Sequence, residues 1–166
     1  MSNILMPSFD EVRHKIEKAL RLLYENDLFL ITNTTNERSI THKLAEYIQS
    51  LFPEWHVDCE YNRKGEDIKR LYAIKECSKQ RKTDRVSPDI IIHHRNTKEN
   101  ILVIEAKSFH SNDHSDKHDK TKIKAYIEEF DYQYQFGLWV CFHDDPTKTK
   151  LDWFENKDGV CRGVSL

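Results

Sequence analysis

Asp89, Glu105 and Lys107 stand at the edges of a strongly apolar stretch, Ser87–Ser108, which reads SPDIIIHHRNTKENILVIEAKS. Two carboxylates and an ammonium gathered against so much Ile, Leu and Val are costly to desolvate unless they pair with one another or hold a metal. Three kinds of chemistry use such a set. A carboxylate pair can do general acid and base work on a glycoside, but that needs an aromatic-lined sugar cleft and gives Lys107 no role. Lys107 can simply neutralise Glu105 at a sheet edge, the commonest fate of neighbouring opposite charges. Asp89 and Glu105 can also offer hard oxygen ligands to Mg²⁺, which takes one or two carboxylates and keeps several waters. Beside such an ion Lys107 would favour a nucleophilic water or the charge developing on a phosphoryl group.

The elements that must position these residues can be read from the pattern around them. Asp89-Ile90-Ile91-Ile92 and Ile101-Leu102-Val103-Ile104 are short β-branched runs bounded by Pro and polar residues, as buried strands are. Arg95–Asn100 between them is too short for a crossover helix, which predicts an antiparallel hairpin. The two-residue period of a strand then puts Glu105 and Lys107 on one face.

Upstream, Ser8-Phe9-Asp10-Glu11 has the form of a capping box and opens a helix over 8–30, with Val12, Ile16, Ala19, Leu20 and Leu23 inward as far as about Leu28. A second helix starts at the N-cap Asn36 and runs to about Phe52, where Pro53 stops it, with Ile40, Leu44, Tyr47, Ile48 and Leu51 as its stripe. Glu37 falls in its first turn, where an acid suits the helix dipole. Trp55–Tyr61 alternates as a half-buried strand does.

Residues 63–85 carry nine basic side chains against four acidic ones, the one strongly basic segment of a chain whose net charge is -2. Such a run is either a solvated face or a phosphate-binding edge. Ser108–Lys120 is polar and reads as a mobile loop. Its His110, His114 and His118 have helical spacing but lack an apolar face to hold a helix. A third helix over 120–134 turns Ile123, Tyr126, Ile127 and Phe130 inward, Gly137 breaks the chain, and Leu138–Phe142 is a buried strand. Leu151–Phe154 and Gly159–Cys161 are weak terminal strands.

The order helix, helix, three strands, helix, strand implies an α+β architecture with a central mixed sheet flanked by helices. At 166 residues one domain is expected: the N-terminal helix 8–30, a core over 36–142 and an extension over 143–166. No apolar run is long enough to span a bilayer, the N-terminus has no secretory pattern, and the four cysteines form no C-x-x-C pair, which points to reduced thiols in the cytoplasm.

Pro88-Asp89, the apolar strand after it, and Glu105-Ala106-Lys107 together resemble the signature of the PD-(D/E)XK nuclease superfamily, also called restriction endonuclease-like. That family adds an acid from an upstream helix, and Glu37 stands at the corresponding place; residues 36–142 follow the family's order of elements. The resemblance implies Mg²⁺-dependent hydrolysis of DNA phosphodiesters (Mn²⁺ substituting), with Asp89, Glu105 and the Ala106 carbonyl on the metal. Lys107 would position or activate the water, and Glu37 would bind metal or water. It makes Arg63, Lys64, Arg81, Lys82 and Arg85 candidate phosphate contacts and puts Gln133, or Gln135, at the place of an auxiliary polar residue. With no separate recognition domain in view, sequence specificity would call for a homodimer or a partner recognition subunit. Restriction, repair and defence roles all use such a core. The alternative is a catalytically silent nucleic-acid-binding or scaffold protein that retains the nuclease fold.

Overall fold

The computed structural model describes residues 5–33, 36–61, 63–64, 67–68, 87–111 and 116–166. Helices α1 (Phe9–Thr32) and α2 (Glu37–Leu51) come first, followed by strand β1 (His56–Cys59) and two short strands, β2 (Arg63–Lys64) and β3 (Asp67–Ile68). The hairpin β4 (Ile90–His93) and β5 (Asn100–Ser108) precedes α3 (Asp116–Glu128), β6 (Phe136–Phe142), a 3-10 turn at Pro146–Lys148, β7 (Lys150–Lys157) and β8 (Val160–Val164). A six-stranded mixed sheet runs β1-β4-β5-β6-β7-β8, and β2 pairs with β3 separately. The expected α+β architecture is present.

The hairpin forms as its two apolar runs require. β4 and β5 are antiparallel with Ile90 opposite Ile104 and Ile91 opposite Val103. Both faces of these strands are covered, which is why their sequence is apolar without alternation. Ile90, Ile92, Ile104 and Ala106 pack with Ile16, Leu23, Ile40, Leu44 and Ile48 on the α1/α2 side. Ile91, Val103 and Trp139 pack with Ile123, Tyr126 and Ile127 on the α3 side. Each such buried aliphatic side chain stabilises the fold by roughly 1.5–3 kcal/mol relative to exposure. β5 and β6 are parallel, with α3 as the crossover between them, so their carboxyl ends leave the sheet at the same edge.

Local differences from the sequence reading have physical causes. α1 extends to Thr32 but is kinked at Asp27, whose φ of -130° is not helical; the Asp27 carboxylate accepts a hydrogen bond from Tyr47 Oη. Ile31 is buried, while Leu28 is partly exposed. α3 starts at Asp116, inside the stretch read as a loop, because its polar first turns are held by ion pairs: Lys107 with Asp119, and Lys120 with both Asp116 and Asp152. It also ends earlier than expected, at Glu128, leaving Phe130 exposed with the Lys98 ammonium over its ring. Gly137 does not break the chain. It lies within β6, where a Cβ would come within 2.3 Å of Ile123 Cγ2, so glycine is what lets α3 sit this close to the sheet. β7 and β8 are full strands that extend the sheet.

His110, His114 and His118 do not share a helix: His110 lies in the turn after β5, His118 on exposed α3, and His114 outside the described residues. The described cysteines, Cys59, Cys141 and Cys161, are free thiols, and burial pushes Cys59 and Cys161 up to about 11. Among the described residues no helix is long and apolar enough to cross a membrane.

Candidate active site

The register that pairs Ile90 with Ile104 continues to set Asp89 against Glu105 where the hairpin meets the sheet edge. Asp89 is anchored there by the backbone: its Oδ2 accepts the Ala106 N–H at 2.7 Å. Ala106 itself points into the α1/α2 core, as its place between Glu105 and Lys107 requires. Glu37 arrives from the other layer. Asn36 caps α2 by accepting the Arg38 N–H, and the first turn thus held carries Glu37 to the end of β5, where its Oε1 accepts the Ser108 N–H at 2.7 Å. The upstream acid and the hairpin acids, separated by fifty residues and more of chain, therefore meet at one edge.

Glu105 and Lys107 face α3, and each finds a partner there that the sequence reading did not single out. Lys122 Nζ donates to Glu105 Oε2 at 2.6 Å, and Lys107 Nζ lies 3.3 Å from Asp119 Oδ2. The pairing runs in reverse order because a crossover helix returns antiparallel to the strand it follows. The E-x-K of β5 thus answers a D-x-x-K on α3, both on a single face of their elements. That complementary spacing is a signal the sequence does carry.

Among the described residues, Glu37, Asp89, Glu105 and Asp119 stand against Lys107 and Lys122, a surplus of two acidic side chains. Glu105 is 2% exposed, and its Oε1 is buried with no hydrogen-bond partner among the described residues. Burial pushes the Glu105 carboxyl well above the ordinary carboxylate range, Lys122 pulls against that rise, and Asp89 and Asp119 add to it. Asp89 is raised for the same first reason. The Ala106 amide and Lys122 lower it, while Asp119 and Glu37 raise it. An orphaned buried oxygen beside a surplus of two acidic side chains is what a divalent cation would relieve, so the residues present fit a hard metal ion. Among the described residues no group of three or more His, Cys, Asp or Glu side chains is disposed to hold an ion. Mg²⁺ needs only one or two carboxylates, with water for the rest.

A cavity of about 510 Å³ opens at this edge, with Glu37, Asp89, Ser108 and His110 in its lining and Arg38, paired with Glu60, at its rim. Glu105 and Lys107 are not in that lining; they lie behind Asp89, toward α3. Arg63 and Lys64 form β2, while Arg81, Lys82 and Arg85 lie outside the described residues. Gln133 does not join the site. It sits exposed in the turn before β6, with φ of 46°, and neighbouring Gln135 bonds Asn100 at the start of β5, the opposite end of that strand from Ser108.

No known protein family matches the chain, and no curated protein is similar to it at a level that marks a relative.

Proposed function

We propose that the chain is a metal-dependent nuclease that hydrolyses DNA phosphodiester bonds, built on the PD-(D/E)XK plan and serving a restriction, repair or defence role. The observation that carries this reading is that Asp89 takes the Ala106 amide and Glu37 the Ser108 amide along the last residues of β5, beside a Glu105 carboxylate with one buried oxygen unpartnered among the described residues. Asp89, Glu105 and the Ala106 carbonyl would hold Mg²⁺ or Mn²⁺, which supplies a Lewis acid for the phosphoryl group and a more acidic water. Glu37, fixed by the Ser108 amide, orients water at the mouth of the cavity. Lys107, one strand step beyond Glu105, contributes positive charge where the phosphoryl group becomes more negative. The partner is DNA, reached through the phosphate backbone, with a homodimer or a recognition subunit supplying sequence choice.

A second reading, a silent nucleic-acid-binding or scaffold protein, draws on one observation: Glu105 is held by Lys122 behind the cavity rather than exposed within it. Cleavage of plasmid DNA separates the two. Wild type should nick or linearise it with Mg²⁺ or Mn²⁺, and Asp89→Asn or Lys107→Ala should lower the rate by about 10²–10³-fold or more. DNA binding of equal strength in all three proteins, with no metal-dependent cleavage in any, would establish the silent reading instead.

A further inference from the structure

We propose that His110, oriented by Asp144, donates the proton to the leaving oxygen of the phosphodiester; this rests on the nuclease reading above and adds to it an acid that its carboxylates and lysines do not provide. His110 lines the same cavity as Glu37, Asp89 and Ser108. Its Nε2 lies 2.9 Å from Asp144 Oδ1. A carboxylate on Nε2 keeps a proton there and leaves Nδ1 as the nitrogen that meets a ligand. The pair is 40% and 39% exposed, open enough for a substrate to reach.

The histidine is also well placed by the fold. β5 and β6 are parallel, so His110, two residues beyond β5, and Asp144, two residues beyond β6, emerge side by side at the carboxyl edge of the sheet. The turn holding His110 is tied down three times: Phe109 N–H to Phe142 O at 3.0 Å, His110 N–H to Ser108 Oγ at 3.3 Å, and Ser111 N–H to Ser108 O at 2.9 Å. The Phe109 ring stacks on His143 at 4.1 Å and lies 3.9 Å from the His110 ring, which restricts the imidazole further. Of the described side chains lining the cavity, the histidine alone is a ring with two nitrogens, so it can hold Asp144 through one and meet a ligand through the other.

In the step, the water oxygen bonds to phosphorus as the bond from phosphorus to the leaving oxygen breaks. The bonding pair stays on the leaving oxygen, which takes the proton from His110 Nδ1. The imidazole is left neutral, still donating from Nε2 to Asp144, and regains a proton from solvent, to which the attacking water has lost one. An alkoxide is a poor leaving group, and general acid catalysis of this kind is worth about 10²–10⁴-fold.

The test compares two duplexes carrying a mapped cleavage site, one ordinary and one with sulfur replacing the leaving oxygen, which departs without protonation. With saturating Mn²⁺ and single-turnover conditions, His110→Ala should slow the ordinary duplex by about 10²–10⁴-fold and leave the sulfur duplex within a few-fold of wild type. Asp144→Asn should show the same selective loss, smaller in size. Equal losses on both duplexes, or none on either, overturn the proposal. If Asp89→Asn is dead on both duplexes while wild type cuts both, the nuclease reading stands whatever His110 does. If wild type cuts neither, that reading fails and the proton donor falls with it.

Discussion

The two ends of the β4–β5 hairpin carry similar residues and handle them differently. At the turn end, Asp58 on β1 accepts hydrogen bonds from His93 Nε2 at 2.8 Å, from Arg95 Nε at 2.9 Å and from Arg95 Nη2. Burial works against its charge, but Arg95 and His93 outweigh burial and hold its carboxyl below the usual range. Next to it, His94 stacks on Trp55 and has Glu99 on one ring nitrogen and the Glu54 carbonyl on the other. The Asp58 and Glu99 carboxylates there each meet a donor. At the other end Asp89 and Glu105 are raised rather than lowered, and a buried oxygen of Glu105 has no hydrogen-bond partner among the described residues. Leaving a buried polar atom unsatisfied costs about 1–3 kcal/mol, and Glu105 carries that cost on one oxygen while Lys122 holds the other. The contrast separates a cluster whose carboxylates are pulled down by donors from one whose carboxylates are pushed up by burial.

The largest expected effect breaks the only cationic support of Glu105 seen among the described residues. Lys122→Met should lower stability by about 3 kcal/mol, the scale of removing one partner from a buried pair. Glu105→Gln added to that background should recover most of it, because the uncompensated charge is gone. Urea unfolding of the two single variants and the double variant gives the coupling directly. Additive losses would mean that Lys122 stabilises by packing its stem and not by its charge.

The second effect sharpens the comparison with a cation. At about a hundred times its Kd, Mg²⁺ or Mn²⁺ should stabilise the wild type by about 2.7 kcal/mol, raising Tm accordingly. Asp58→Asn, altered at the saturated end, should keep the gain; Asp89→Asn should lose it. A gain that survives in Asp89→Asn would place cation binding elsewhere on the chain.

Much of this contrast can be read in the sequence, because two periods are strong. The two-residue period puts Glu105 and Lys107 on one face, and the helical period with the Asn36 cap puts Glu37 at the start of α2. In the fold Glu37 reaches the Ser108 amide, one residue past Lys107 on β5. The start of α3 was hidden because its first turns have no apolar stripe to betray them. Ion pairs to Lys107 and Asp152 help to hold them, and those partners lie on other strands, away from the helix in sequence. Gly137 misleads for a related reason: glycine marks a break when nothing is near it, and a close approach when a helix is. His110 was grouped with two other histidines by spacing, while its partner Asp144 lies beyond another strand and is brought near only by the parallel pairing of β5 with β6.

The smallest effect belongs to the saturated end and tests whether that cluster behaves as a plain structural pair. The Glu54 carbonyl at Nε2 can only accept, and Glu99 at Nδ1 is also an acceptor, so the cationic ring, with a proton on each nitrogen, is the form that satisfies both partners. Burial opposes that charge, but Glu99 and Glu54 outweigh it and raise the His94 pKa above its ordinary value. A raised histidine binds its proton more tightly when folded. The stabilisation is therefore fully present below the unfolded value of about 6.5 and fades as pH rises through the folded value. Glu99 is half exposed, so Glu99→Ala should cost no more than about 1 kcal/mol. The Tm gap between wild type and Glu99→Ala should be widest near pH 5.5 and close at alkaline pH, with cation stabilisation equal in both proteins. A gap that does not change with pH would show that Glu99 acts through the shape of the turn rather than through His94. The backbone bond from His94 N to Glu99 O argues against that outcome, because alanine keeps it.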